Sequence, residues 1–291
     1  MSAKASPWMA YTLTTTLLWG LWGALTGVPA EHGFPETLTY VVWALTMIAP
    51  AAWAMHKAGW KLKRDGRSLK LGLAIGLLGA GGQMILFKAV TLGPTYLIFP
   101  IVSLSPAITI LLSFFFLSER TGRLGMAGIA IAVLSLPLFD YTPGKDATHY
   151  GTWFVLSLAV MIAWGLQSYY IKLANATMDA ESIFFYMMLT GLMFIPAALW
   201  MTDFSAPIEL GFSGPYLAAA IQLLNAVGAL TLVYAFRYGK AIVVSPLVNA
   251  GAPLLTSVIS LSLSQSWPGS YKIAGIVLAL SAALLLALQP E

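Results

Sequence analysis

Long apolar runs without a charged residue follow one another along the whole chain. Ten of these runs have at least 16 residues. A helix that crosses a membrane needs about 20 mostly apolar residues, whereas a membrane strand alternates apolar and polar positions. The runs do not alternate, so we predict an all-α integral membrane protein with ten transmembrane helices. The runs cover residues 5–30, 37–56, 71–87, 89–118, 124–139, 147–171, 182–202, 210–236, 241–271 and 273–290.

Composition excludes most classes of soluble protein. Apolar residues make up 59% of the chain and charged residues only 9%, whereas a soluble domain carries about 25% charged residues. The mean hydropathy is +0.82. A disordered protein, a soluble two-domain enzyme and a nucleic-acid-binding protein are therefore excluded, and the lipid bilayer is the expected partner. Cysteine is absent, which excludes disulfides, thiolate metal sites and cysteine nucleophiles.

Basic residues predict how the helices are oriented. With the N-terminus in the cytoplasm, twelve of the fifteen Lys and Arg residues lie on the cytoplasmic side, and Lys88, Lys145 and Lys272 lie at outer ends. This excess follows the positive-inside rule. We therefore predict a multi-pass protein of the cell inner (plasma) membrane with both termini in the cytoplasm. The apolar stretch within residues 1–30 is longer than the 7–15 residues usual in a signal peptide, so we interpret it as the first helix.

Short motifs recur at a spacing of 145 to 147 residues. They predict two halves, residues 1–145 and 146–291, with five helices each in one membrane domain. Because five is odd, the second half must insert upside down, as in many secondary transporters that bind substrate near the midplane. Chance recurrence in a chain rich in Trp and Pro is the alternative. The recurring residues are Trp19-Gly20 with Trp164-Gly165, Gly93 with Gly239, Pro100 with Pro246, and Pro106 with Pro253.

Several of these motifs resemble the EamA repeat of the drug/metabolite transporter superfamily. They are LLWGLWG at 17–23, Gly93 followed by Pro100 and Pro106, and LSER at 117–120. The resemblance implies ten helices in two inverted repeats and the export or exchange of small metabolites. Within the superfamily the chain looks most like the bacterial aromatic amino-acid exporters of the YddG type. The second half departs from the pattern, because Gln265 stands where the first half has Glu119.

Uncharged polar and aromatic residues inside the runs are the candidates for substrate binding. Amide side chains avoid lipid and should face the bundle interior, where hydrogen bonding between helices is the alternative role. Aromatic rings can stack on a solute, although ordinary packing is the alternative for each of them. The predicted substrate-binding residues are Trp19, Trp43, Gln83, Tyr96, Ser103, Trp164, Gln167, Gln222, Asn225, Tyr234 and Asn249.

Paired prolines predict kinks or interruptions in the fourth and ninth helices. These residues, which we expect to act in helix breaking and gating, are Pro100, Pro106, Pro246 and Pro253. A proline removes an N–H donor and frees a carbonyl one turn earlier. Freed carbonyls suit an ammonium and helix N-termini suit a carboxylate, so a zwitterionic amino acid fits without any protein charge. The alternative is that proline is simply common in membrane helices.

Ionisable residues are nearly absent from the middle of the runs. No Asp, Glu or His lies there, and Lys88 is the one cation within a span. Lys88 can reach the headgroups, pair with an acid or bind a substrate carboxylate. Proton-coupled transporters usually need acidic or His residues in the membrane. We therefore predict a uniporter-like exporter that works by alternating access, and the family resemblance implies large neutral or aromatic amino acids as its substrates.

Other functions stay open at this point. An exporter or exchanger of sugar phosphates, nucleotide sugars or drugs is the alternative within transport, although phosphate binding favours Arg and Lys in the cavity. An intramembrane enzyme would need paired acids, a metal cluster or a nucleophile with its base, and none is visible. We therefore expect no catalytic residue, no cofactor, no metal and no nucleic-acid partner. A monomer is favoured, because glycine-rich helix faces have enough neighbours within one bundle.

Overall fold

The computed structural model describes residues 7–117, 122–135, 138, 151–175, 177–238, 241–264 and 267–287. All regular secondary structure in these ranges is helical. The helices are α1 (Pro7–Leu25), α2 (Val28–Glu31), α3 (Glu36–Thr46), α4 (Ile48–Lys57), α5 (Gly66–Leu92), α6 (Thr95–Val102), α7 (Ser105–Leu117), α8 (Arg123–Ser135), α9 (Thr152–Ala174), α10 (Ala180–Met193), α11 (Ile195–Trp200), a π-helical turn (Phe212–Tyr216), α12 (Leu217–Tyr238), α13 (Ala241–Ser264) and α14 (Ser270–Ala287).

The helices confirm a multi-pass membrane protein. Within the described ranges, five stretches are long and apolar enough to cross a bilayer, and three further apolar helices are shorter. The total of ten spans therefore stays a prediction. The five stretches are Glu36–Lys57, Gly66–Leu92, Thr152–Ile171, Ala180–Trp200 and Phe212–Ala235.

Two long spans are broken near their middle, which the sequence analysis did not predict. Met47 separates α3 from α4, and Phe194 separates α10 from α11. Pro50 and Pro196, 146 residues apart, lie in the first turn after each break. Because a proline cannot donate to the carbonyl four residues earlier, the helix loses a hydrogen bond at the break.

The predicted interruption is found in the fourth membrane segment and not in the ninth. Helix α6 ends two residues after Pro100, and α7 begins one residue before Pro106. The hydroxyl of Ser103 donates to the Pro100 carbonyl at 2.6 Å. Helix α13 instead continues through Pro246 and Pro253. Membrane helices tolerate prolines where neighbouring groups satisfy the freed carbonyls.

Contacts between helix ends define the two ends of the bundle. At the proximal end, where α1 begins, Tyr11 stacks on Tyr238, the last residue of α12, with ring centroids 6.0 Å apart. At the distal end, a Cβ on Gly93 would meet the Trp153 ring, so α9 begins where α5 ends. The first helices of the two halves, α1 and α9, therefore start at opposite ends. Glu119 and Gln265, as well as Gly239 and Lys145, lie outside the described residues.

Packing between the halves is reciprocal. Helix α1 packs on α12 and α13 of the other half, while α9 packs on α5, α6 and α7. The Thr256 hydroxyl donates to the Gly20 carbonyl at 3.1 Å, and the Thr109 hydroxyl donates to the Gly165 carbonyl at 2.9 Å. Both glycines belong to the repeated Trp-Gly motif. The motif therefore has the same structural role in each half.

Candidate solute-binding cavity

A cavity lies in the middle of the bundle between α5 and α9 on one side and α1 and α12 on the other. It contains about 930 Å³ of space free of atoms, counting its open mouth. Its lining extends toward the proximal end through Ile171, Met187 and Leu232. The full lining is Trp19, Trp22, Trp43, Met47, Gly76, Gly79, Ala80, Gln83, Ser105, Trp164, Gln167, Ser168, Ile171, Met187, Asn225, Ala229, Leu232, Val233 and Asn249.

Glycines on α5 bring one wall of the cavity close to α9. A Cβ on Gly82 would lie 2.5 Å from the Trp164 Nε1 atom, and one on Gly79 would lie 2.3 Å from the Gln167 Nε2 atom. The Gln167 amide donates to the Ile75 carbonyl at 3.1 Å. Trp164 and Gln167 are one turn apart on α9, so both side chains reach the cavity from the same face.

The opposite wall is built in the same way around Asn225. A Cβ on Gly228 would lie 2.4 Å from the Trp19 ring, which mirrors the contact of Gly82 with Trp164. The Trp19 indole donates to the backbone carbonyl of Asn225 at 3.2 Å. The Trp43 indole donates to the Asn225 Oδ1 atom at 2.8 Å. One asparagine therefore fixes two aromatic rings of the lining.

A fully buried layer lies beneath the cavity toward the distal end. The Trp22 indole donates to the Gln222 Oε1 atom at 2.8 Å, and the Gln222 amide donates to the Thr26 hydroxyl at 3.2 Å. All three residues are buried. The Phe99 ring meets Trp22 edge to face, with centroids 5.6 Å apart. This layer closes the cavity on its distal side.

Gln83 is the lining residue whose hydrogen bonding is incomplete. Its side chain is 3% exposed, and its Nε2 atom has no hydrogen-bond partner among the described residues. A buried donor without a partner costs about 1–3 kcal/mol. Any arrangement that brings an acceptor to this amide, with or without a solute, therefore stabilises the protein.

The cavity carries no formal charge among its described lining residues. Its polar groups are amides, hydroxyls and indole N–H groups, and none of them is Asp, Glu, Lys, Arg or His. No group of three or more His, Asp or Glu residues that could hold a metal ion occurs in the described part of the chain. The cavity can therefore hold a solute without net charge through hydrogen bonds and aromatic contact.

Seven of the eleven predicted substrate-binding residues line this cavity. Four lie elsewhere: Gln222 in the layer below, Ser103 at the break between α6 and α7, Tyr96 against an apolar cluster, and Tyr234 against Tyr11 near the proximal end. The seven are Trp19, Trp43, Gln83, Trp164, Gln167, Asn225 and Asn249.

Most of the remaining lining residues carry little signal in the sequence. Ser105 and Ser168 carry hydroxyls, but serine is ordinary in a membrane helix. Met47 and Met187 are apolar residues in apolar runs. Trp22 could have been found, because it lies one turn after Trp19 and therefore on the same helix face.

Comparison with known proteins agrees with this architecture. A crystal structure of a protein with 18% sequence identity has a TM-score of 0.67, and the match covers 97% of this chain and 98% of the other. No curated protein matches. The EamA-like transporter family matches twice, at residues 6–139 and 151–288. The chain therefore belongs to the EamA-like transporter family, a family of membrane transporters for small molecules.

Proposed function

We propose that this transporter exports large neutral and aromatic amino acids. The observation that carries the proposal is the central cavity, which four indole rings line and to which no charged side chain contributes among the described residues. Indole faces favour apolar and aromatic side chains and also attract an ammonium. A zwitterion has no net charge, so it needs hydrogen-bonding groups rather than a counter-ion.

Polar groups in the lining support an amino-acid substrate. The Nε2 atom of Gln83 can donate to a carboxylate once the side chain turns toward a solute. The Oε1 atom of Gln167 can accept from an ammonium, because the Nε2 atom of the same amide is held by the Ile75 carbonyl. Gln83 on α5 and Gln167 on α9 both line the same wall of the cavity.

Alternating access is the mechanism that the reciprocal packing favours. We infer two inverted repeats of five helices, residues 1–145 and 146–291, because α1 and α9 begin at opposite ends and make equivalent contacts. In such a pair, one half can adopt the conformation of the other and open the cavity at the other end. A single chain contains both halves, so we propose a monomer.

Charge placement supports an orientation with the proximal end in the cytoplasm. Of the described Lys and Arg residues, most lie at the proximal end, whereas Lys88 and Lys272 lie at the distal end. This asymmetry is the positive-inside pattern of an inner (plasma) membrane protein. The proximal residues are Lys57, Lys61, Lys63, Arg64, Arg67, Lys70, Arg123, Lys172 and Arg237.

Facilitated transport without proton coupling fits the lining. Proton relays inside membranes use Asp, Glu or His, and none of these is among the described lining residues. Sugar phosphates and nucleotide sugars fit less well, because phosphate binding favours Arg or Lys. Uncharged drugs are the second candidate, since they need only the aromatic wall.

Counterflow in proteoliposomes tests the proposal. Vesicles loaded with unlabelled amino acid should accumulate labelled tryptophan, phenylalanine or leucine, and an imposed pH gradient should leave the initial rate unchanged. Glutamate, lysine and a sugar phosphate should not exchange. Exchange of the sugar phosphate alone, or no exchange of any amino acid in a folded preparation, would contradict the substrate assignment. A rate that follows the pH gradient would contradict the facilitator mechanism.

A further inference from the structure

Two ion pairs lie at opposite ends of the bundle on corresponding helices. At the distal end the Lys88 Nζ atom lies 2.7 Å from a Glu36 carboxylate oxygen. At the proximal end the Arg237 guanidinium lies 2.5 Å from a Glu181 carboxylate oxygen. Each glutamate lies in the first turn of its helix, and the two are 145 residues apart. Lys88 lies near the end of α5, and Arg237 lies near the end of α12. Each of these helices follows a broken span in its half, α3–α4 or α10–α11.

Hydrogen bonds divide the helices around the cavity into two units. In the first unit, α1 is bonded to α12 through Thr15 and Thr231 at 2.8 Å and to α13 through Thr256. In the second unit, α9 is bonded to α5 through Gln167 and to α7 through Thr109. The cavity lies between the first unit and the second unit.

Each ion pair reaches from one unit toward the other. Helix α3 packs on α12 of the first unit and also on α5 of the second, and its Glu36 pairs with Lys88 on α5. Helix α10 packs chiefly on α5 of the second unit, but its Glu181 pairs with Arg237 on α12 of the first. At each end of the cavity, one ion pair therefore adds to the helix packing between the two units.

We infer that the Glu36–Lys88 and Glu181–Arg237 pairs are the two latches that control access to the cavity from opposite ends. This inference rests on the proposed alternating-access function. The units must separate at one end for solute to pass there, and that separation breaks the ion pair at this end while the other pair stays closed. Both ion pairs are formed in the structure, in which the cavity is partly open, so breaking a pair should widen access at its end.

The latches differ in strength because they differ in burial. The distal side chains are 55% and 23% exposed for Lys88 and Glu36, whereas the Glu181 side chain is only 7% exposed. An exposed pair contributes little, so its loss should change an opening equilibrium by about fivefold or less. A buried carboxylate is costly to leave unpaired, so the proximal latch should hold its end closed more firmly.

Neighbouring charges decide which residue to replace. Lys57, Lys61 and Lys63 line the same crevice as Glu181, together with Asp179. After loss of the arginine, these lysines remain close to the carboxylate. Replacing Glu181 removes the buried charge itself and leaves no carboxylate to be paired again. Glu181→Gln is therefore the cleaner variant at the proximal end, and Glu36→Gln is its counterpart at the distal end.

Accessibility of a single cysteine tests the inference without any solute. The chain has no cysteine, so Ser168→Cys places one reactive thiol in the cavity lining. Proteoliposomes of known orientation are treated with a membrane-impermeant maleimide from one side at a time. Glu36→Gln should raise the labelling rate from the distal side by about 1.5- to 5-fold. Glu181→Gln should raise it from the proximal side by about tenfold.

Matched variants separate latch loss from a general effect of charge. Glu31→Gln removes an exposed acid at the same end as Glu36 and should leave both labelling rates unchanged. Combining Glu36→Lys with Lys88→Glu exchanges the charges and should restore slow labelling from the distal side. If the Glu181 variant does not fold, the distal variants still decide the question.

Unchanged labelling from the distal side in Glu36→Gln, or an equal rise from both sides, would overturn the inference. Labelling does not depend on transport, so its outcome is separate from that of the counterflow experiment. Latch-dependent labelling without amino-acid exchange would contradict the proposed substrate alone. If amino acids exchange but the labelling rates do not change in the ion-pair variants, the result would contradict the latches alone.

Discussion

Gly82 lets the Trp164 indole lie directly on α5, and a methyl group at this position should displace the ring. A Cβ there would lie 2.5 Å from the Trp164 Nε1 atom and 2.8 Å from Cδ1. Ordinary contacts between heavy atoms are about 3.5–4.0 Å, so the indole must move by about 1 Å. We therefore expect Gly82→Ala to damage both the packing of α5 on α9 and the wall of the cavity.

The neighbouring glycine supplies the control for the size of this effect. Overpacking costs about 1–3 kcal/mol, while replacing glycine by alanine in a helix gains about 1 kcal/mol. A Cβ on Gly81 would meet no atom within 4 Å, so Gly81→Ala has the gain without the clash. The free energy of unfolding of Gly82→Ala should therefore be about 1–3 kcal/mol below that of Gly81→Ala.

Reversible denaturation of both variants in the same detergent measures this difference. Counterflow of labelled tryptophan then reports the cavity, and Gly82→Ala should exchange more slowly than Gly81→Ala. Equal unfolding free energies together with equal exchange rates would refute the reasoning, because the displaced indole would then neither stabilise the bundle nor touch the solute.

Three further variants test other contacts. Gly228→Ala should slow exchange as Gly82→Ala does, because a Cβ there would meet the Trp19 ring at 2.4 Å; normal exchange would contradict the equivalence of the two walls. Trp43→Phe removes the donor 2.8 Å from Asn225 Oδ1, and its unfolding free energy should fall by about 1–3 kcal/mol. An unchanged value would show that Asn225 is satisfied in another way. Asp179→Ala removes an N-cap that accepts from the Ser182 backbone N–H at 2.7 Å, and the free energy of unfolding should fall by about 1 kcal/mol. Asparagine caps about as well as aspartate, so an equal loss in Asp179→Asn would argue against capping.

The sequence was sufficient for the helical membrane fold and for much of the cavity wall. Amide side chains in apolar runs avoid lipid, which is why Gln167 and Asn225 were chosen as candidates, and both line the cavity. The period of a helix gives the face of a residue but not its depth along the helix. Gln222 therefore looked equivalent to Asn225, although it lies one turn away in the buried layer.

Breaks in helices were harder to predict than the helices themselves. A proline removes one hydrogen bond wherever it stands, but the surrounding contacts decide whether the helix ends there. Helix α13 continues through Pro253, whereas the span that contains Pro50 is broken at Met47. Pairing of Lys88 with an acid was one of the roles considered from the sequence, but its partner Glu36 was not identified. The Glu181–Arg237 pair was missed, because the contact between their helices is known only from the tertiary fold.

Protection of a cavity thiol by solute tests most directly that this cavity is the binding site. The Ser168→Cys variant should react with a small maleimide more slowly as tryptophan or phenylalanine is added, while glutamate should have no effect. Ser205→Cys, in an exposed loop, should react at the same rate with and without solute. Concentration-dependent protection of the cavity thiol alone is the predicted result. Exchange of amino acids in counterflow without any such protection would contradict the account, because the solute would then pass by another route.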